Sequence, residues 1–139
     1  MQLLSITQSL RDGKKYRATF SDGTRTDFGA AGMSDYTIHK DYARKVRYMK
    51  RHLKDLQTGD PRKAGFLSWY ILWSFPSFQK SVQVYKKYVL PNVQKGLPIK
   101  LDYELYQRNP SHYASIMAEN GLPSEIIPAR DPAEKYSPV

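Results

Sequence analysis

Five basic side chains recur at helical spacing near the middle of the chain. They follow one another at steps of four, three, four and three residues, which places them on one side of an α-helix. The five are Lys40, Arg44, Arg47, Arg51 and Lys54. Cations in such a row bind phosphates or carboxylates. The spacing therefore predicts electrostatic docking on an anionic partner, either nucleic acid or the acidic face of a protein.

The opposite side of the same predicted helix is apolar. Its members also step by three or four residues, and they are Ile38, Tyr42, Val46, Met49, Leu53 and Leu56. We expect this stripe to be buried and the row of cations, about 20 Å long, to face outward. Lys45 and Lys50 flank the row. The alternative is a solvated face that keeps the protein soluble, although such faces usually mix both signs of charge.

The sequence lacks the motifs of catalysis and metal binding. The absence of cysteine excludes disulfides, thiolate ligands and a cysteine nucleophile. His39, His52 and His112 do not have the spacing of metal ligands. The short Gly-Ala-Ala-Gly segment at 29–32 lacks the Lys-Ser/Thr that follows a phosphate-binding loop. We predict a protein that is not an enzyme and has no cofactor, metal or small-molecule substrate.

A second helix, predicted over residues 61–74, is rich in aromatic residues. Phe66, Trp69, Tyr70 and Trp73 lie at i, i+3, i+4 and i+7. A helix that is apolar nearly all round is either a central core helix or one that offers an aromatic edge for assembly. The apolar stretch at 66–78 is too short to span a membrane, so no membrane span is expected.

The elements that position these side chains predict an α+β fold. Residues 3–10, 15–20 and 24–28 have strand character and are separated by Asp-Gly turns, which indicates an N-terminal three-stranded antiparallel meander. About three helices follow, over 38–56, 61–74 and 78–90. Their expected N-caps are Asp35 or Thr37, Asp60 and Ser77, and Thr58-Gly59 is expected to end the first of them.

Charge and proline content divide the chain near Pro91. Residues 1–90 carry 17 basic and 7 acidic side chains, whereas residues 91–139 carry 5 and 6 and hold seven of the nine prolines. We predict a basic body, 1–90, and an extended Pro-rich C-terminal arm, 91–139, with one short helix. The arm keeps aromatic anchors that would lie on a neighbouring subunit or fold back on the body. These are Tyr103, Tyr106, Tyr113 and Tyr136.

Three segments of the body carry a resemblance to a known family. Residues 27–41 read DFGAAGMSDYTIHKD, residues 44–52 read RKVRYMKRH, and residues 60–76 read DPRKAGFLSWYILWSFP. Together they resemble an uncharacterised short protein family of nucleocytoplasmic large DNA viruses, such as chlorella viruses and mimivirus relatives. The resemblance covers roughly residues 20–90. Met33 stands where the family has an aromatic residue, and Ser74-Phe75 where it often has Asn-Lys.

The resemblance implies a giant-virus origin but supplies no catalytic residues. We expect a structural virion component, a minor capsid (cement-type) protein of a large icosahedral DNA virus. It would link neighbouring capsid subunits through the basic helix and the arm, with major and minor capsid proteins as partners. We expect the protein to lie in the capsid of the virion, and in the host cytoplasm or the virus factory before assembly. The alternative is a sequence-nonspecific nucleic-acid-binding protein of the viral core or factory.

Overall fold

Three antiparallel strands open the chain in the computed structural model, which describes residues 1–97 and residue 99. They are β1 (Leu3–Gln8), β2 (Lys14–Phe20) and β3 (Arg25–Ala30), and their order in the sheet is β1-β2-β3. Gly13 and Gly23 have φ of 82° and 89° in the two connecting turns, a region that glycine enters without steric cost. The predicted meander is confirmed.

Helices fill the rest of the described chain, so the predicted α+β class is confirmed. In order they are α1 (Tyr36–His39), α2 (Tyr42–His52), a 3₁₀ segment (Leu53–Thr58), α3 (Ala64–Leu67), a π turn (Ser68–Leu72), α4 (Phe78–Val84), a second π turn (Tyr85–Val89) and α5 (Leu90–Lys95). Asp35 caps α1, and Ser77 caps α4 by accepting the backbone N–H of Lys80. Gly59 ends the 3₁₀ segment with φ of 65°.

The single helix predicted over 38–56 is wrong, because the chain breaks at Lys40. Lys40 adopts φ of 57° and closes α1. Asp41 is extended and caps α2, since its side chain accepts the N–H of Arg44. Two short helices with their own caps therefore replace one long helix.

The predicted bounds of the second and third helices also change. Asp60 accepts the backbone N–H and the guanidinium of Arg62, so it closes a local turn, and α3 begins only at Ala64. The third helix continues past Leu90 to Lys95, through Pro91. The π turn over Tyr85–Val89 ends two residues before this proline. Its wider winding relieves the clash that a proline ring makes with the carbonyl four residues earlier in a regular α-helix.

The core lies between the sheet and the aromatic segment of α3 and its π turn. Phe20 and Phe28 of the sheet and Leu67 and Ile71 of the aromatic segment are fully buried. Tyr85 is buried as well, and its hydroxyl donates to the carbonyl of Pro61. Trp69, Tyr70 and Trp73 are only partly buried. The aromatic helix is therefore mainly a core element.

Three further predictions concern a membrane span, the division of the chain at Pro91 and the anchors of the arm. Within residues 1–97, no helix is both long enough and apolar enough to cross a membrane. The division at Pro91 falls within the helical run 78–95. The arm anchors Tyr103, Tyr106, Tyr113 and Tyr136 lie outside the described residues.

Candidate docking surface

Three of the five predicted cations form one exposed row on α2. Arg44, Arg47 and Arg51 are exposed, and at 100° per residue they fall within about 60° of arc around the helix. We call these three residues the basic face. They span about 10 Å along the axis, half the predicted length. Tyr42 on the opposite side is buried, and Val46 packs against the core.

No carboxylate of the described residues neutralises the basic face. Residues 1–97 contain seven acidic side chains, all aspartates. Four of them form ion pairs with arginine or lysine outside the basic face, namely Asp22, Asp27, Asp35 and Asp60. Asp55 contacts the ring of His52. Asp41 caps α2, and Asp12 is exposed in the first turn. The guanidinium groups of the basic face therefore point to solvent without an acidic partner from this part of the chain.

Lys40 and Lys54 do not continue the row. Lys40 lies at the break between α1 and α2, where its ammonium donates to the carbonyl of Thr37 at 2.8 Å. Lys54 is exposed but belongs to the 3₁₀ segment, in which three residues per turn replace 3.6 and the helical alignment is lost. Leu53 and Ile38 are exposed, although both were predicted to be buried. The change from 3.6 to three residues per turn rotates Leu53 outward, and the break at Lys40 does the same for Ile38.

Lys45, predicted to flank the row, is buried and holds α2 in place. Only 5% of its surface is exposed, and its ammonium donates to the carbonyl of Ser74 at 2.8 Å. It also lies 5.3 Å and 5.5 Å from the ring centres of Tyr36 and Tyr42. The spacing of the sequence indicated this burial. Lys45 is three residues after Tyr42 and four before Met49, so it lies on the apolar stripe.

A stack of aromatic rings fixes the other flank of α2. Tyr48 and Trp73 are parallel within 4°, with centroids 4.1 Å apart, and His52 stacks on Tyr48 at 4.2 Å. Burial, and then the charge of Asp55, raise the pKa of Tyr48 to about 12. Because the faces of Tyr48 are covered by rings of the same chain, Tyr48 offers no platform on which a nucleobase could stack.

His39 at the α1–α2 break makes a pH-dependent contact. Its Nδ1 accepts the backbone N–H of Asp41 at 2.9 Å, so the neutral ring carries its proton on Nε2. Burial, and then the charge of Arg44, lower the pKa of His39. Protonation would also remove the acceptor at Nδ1. The folded state therefore favours the neutral ring.

We expect the protein to lose stability as the pH falls through about 6.5, because the unfolded chain then protonates His39 while the folded chain resists it. His39→Asn keeps an acceptor for Asp41 and does not titrate, so the change in unfolding free energy between about pH 7.5 and pH 5.5 should be smaller in this variant. Urea unfolding at both pH values measures the difference. Equal changes in the two proteins would contradict the assignment.

The described residues contain no group of three or more His, Cys, Asp or Glu side chains that could hold a metal ion. His52 instead contacts Asp55, with 3.1 Å between Nδ1 and Oδ2. A groove lies between the first four residues and the helical segment 86–94, and its lining is mixed, with Leu3, Leu4, Leu90 and Pro91 beside Lys86 and Lys87.

Residues 4–52 match a family of unknown function, DUF5754. The matched segment begins in β1 and ends at the last residue of α2. It contains the sheet except Leu3, and the whole basic face, so the chain is similar to this family over the part that builds the candidate surface. No curated protein and no solved structure matches the chain.

Proposed function

We propose that this protein is a non-enzymatic structural protein that docks through its basic face on the acidic surface of a neighbouring protein in an assembly. The observation that carries the proposal is the set of three exposed guanidinium groups that no carboxylate of residues 1–97 neutralises. Guanidinium groups form paired hydrogen bonds with carboxylates, which makes them suited to protein interfaces.

The setting of α2 supports docking by a rigid surface. The helix is held from inside by Lys45 and on its flank by the ring of Trp73 stacked on Tyr48. A surface that is ordered before binding loses less conformational entropy when it binds. The arginine side chains therefore start from a backbone that needs no rearrangement.

The assembly that we propose is the capsid of a large DNA virus, with this chain as a minor, cement-type component in the virion. The resemblance of roughly residues 20–90 to a giant-virus family supports the assignment. In this role the basic face would contact major or minor capsid proteins, and the arm would extend along neighbouring subunits through Tyr103, Tyr106, Tyr113 and Tyr136.

Nucleic acid is the second candidate partner, because arginine binds phosphate as well as carboxylate. Three phosphate contacts predict a slope of about −2.7 in a plot of log affinity against log salt concentration. Binding of this kind would be weak and independent of sequence, since the side chains would contact only the backbone of the duplex. The covered faces of Tyr48 favour acidic protein over single-stranded nucleic acid.

The test compares two triple variants of equal net charge. Arg44→Glu, Arg47→Glu and Arg51→Glu reverse the basic face, whereas Lys63→Glu, Lys86→Glu and Lys87→Glu reverse three exposed lysines elsewhere. Binding of poly-L-glutamate and of a random-sequence duplex DNA is measured between about 50 and 200 mM salt. We expect reversal of the basic face to weaken binding to poly-L-glutamate about 100-fold, since each lost charge-assisted contact contributes about 1 kcal/mol.

Other results would change the assignment. Duplex DNA binding with a salt slope of about −2.7 or steeper, lost on reversal of the basic face alone, would replace the acidic protein by nucleic acid. Equal losses in the two triple variants would show that net charge, and not the basic face, drives binding. In that case the row would be a solvated surface.

A further inference from the structure

Strand β1 has an open backbone edge. It pairs with β2 on one side and with no other strand of the described chain. The N–H of Ser9 donates to the carbonyl of Lys15, and in the same register Thr7 lies opposite Arg17. Hydrogen bonding alternates along an antiparallel pair, so the odd residues face β2. The N–H and C=O groups of Ile6 and Gln8 therefore point away from the sheet.

The opposite edge of the sheet is covered. Helix α3 packs beside β3, and the hydroxyl of Thr26 donates to the carbonyl of Arg62 at 2.7 Å. Strand β3 also carries Arg25 and Asp27. Of the two edges, only that of β1 is available for another strand in the described part of the protein.

Over residues 5–9, the open edge lacks the features that usually protect an edge strand. Such edges commonly carry lysine, proline or inward-pointing charge, which prevent another strand from pairing. Residues 1–10 contain no charged side chain and no proline, although a quarter of all residues in the chain are charged. One bulge interrupts the pairing with β2 between Leu3 and Ser5, and residues 5–9 are regular.

We infer that β1 is a homodimerisation edge that pairs with β1 of a second copy, antiparallel and centred on Thr7. Two strongly basic molecules repel each other over most of their surface. Because β1 is uncharged, two copies can pair along it without bringing like charges opposite one another. Centring on Thr7 sets Ile6 opposite Gln8 of the other copy. These residues have outward backbone groups, and they form about four hydrogen bonds across the two-fold axis.

The same register accounts for two exposed leucines. Leu10 is 92% exposed and Leu4 is 57% exposed. Pairing centred on Thr7 brings Leu10 of one copy next to Leu4 of the other. Leu4 lines the groove whose walls also include Leu3, Leu90 and Pro91. Each end of the paired strands thus covers a leucine at a groove of mixed lining, in which Leu3, Leu90 and Pro91 lie beside Lys86 and Lys87.

The dimer is expected to be weak and to present two basic faces. A contact of one strand pair and two leucines is smaller than the standard interface of about 1,600 Å², so a dissociation constant of about 1–100 µM is expected. Two basic faces on one particle would bind a repetitive acidic surface with avidity. The dimer itself does not depend on the proposed function, because the basic face takes no part in it.

The test uses the position on the two-fold axis. Thr7 is exposed, and in the dimer it would lie directly opposite Thr7 of the second copy. The two residues would form a non-hydrogen-bonded pair, in which the side chains of an antiparallel pair come closest. Thr7→Lys and Thr7→Glu should each lower the dimer affinity at least about 10-fold, because like charges meet. An equimolar mixture of the two variants should restore the dimer. Sedimentation of the full chain from about 1 to 500 µM measures all three samples.

Gln79→Lys and Gln79→Glu are the matched controls, since Gln79 is exposed on α4 and distant in sequence from β1. Both should dimerise like the wild type. A monomeric wild type at about 500 µM would overturn the inference. So would a dimer that is insensitive to charge at Thr7, or one that the mixture of variants fails to restore.

Discussion

Asp35→Ala is expected to destabilise the protein by about 3–5 kcal/mol, because it removes one partner of a buried ion pair. The ammonium of Lys15 lies 2.6 Å from Oδ2 of Asp35, and the two side chains are 14% and 2% exposed. Asp35 also caps α1 by accepting the N–H and the hydroxyl of Thr37. The substitution leaves Lys15 without its counter-ion and α1 without its cap. Urea unfolding followed by circular dichroism measures the loss.

Asp35→Asn separates the two contributions. It keeps an acceptor for the N–H of Thr37 and loses only the charge, so it should recover about 1 kcal/mol relative to Asp35→Ala. The control is Asp27→Asn, because Arg17 and Asp27 pair at 3.0 Å on a more exposed part of the sheet. Its effect should be much smaller. If Asp35→Ala and Asp27→Asn were equally mild, the Lys15–Asp35 pair would not be a structural element of the fold.

Gly29→Ala is expected to destabilise the protein by about 2–4 kcal/mol, since it combines backbone strain with a steric clash. Gly29 has φ of 80°, a conformation that residues with a side chain rarely adopt. A Cβ atom at this position would lie 3.0 Å from Cδ1 of Leu72 and 3.2 Å from Cβ of Lys15. Leu72 is buried, so it has little room to move.

Gly32→Ala is the matched control for this prediction. Gly32 has nearly the same backbone angle, φ of 81°, but no atom lies within 4 Å of the added Cβ. It should therefore show only the cost of the backbone conformation, about 1 kcal/mol. The difference between the two variants in thermal or urea unfolding isolates the clash with Leu72 and Lys15. Equal losses would mean that the packing around Gly29 is loose.

The turns, two of the three helix caps and the regular part of α2 could be predicted because they depend on neighbours in the sequence. Asp35 and Ser77 each bind a backbone N–H two or three residues away. The prediction failed where local signals compete. Asp60 precedes Pro61 as a helix cap would, but its side chain bonds Arg62 instead.

The candidate surface was only partly predictable for the same reason. Arg44, Arg47 and Arg51 lie where the periodicity predicts, because they belong to one uninterrupted helix. Lys40 was misplaced because the cap formed by Asp41 requires a break in the helix, and such a cap is not part of the periodic pattern.

Met33 stands where the family that the sequence resembles has an aromatic residue. Its side chain is exposed, and nothing in the structure explains this difference.

The sequence by itself determined the strand order, the α+β class and the existence of an exposed arginine row, since each follows from contacts within a few residues. The tertiary structure decided which cations remain free. Lys45 reaches the carbonyl of Ser74, 29 residues away, and Lys15 reaches Asp35, 20 residues away. A buried charge requires a partner, and that partner is brought near only when the sheet and helices pack together.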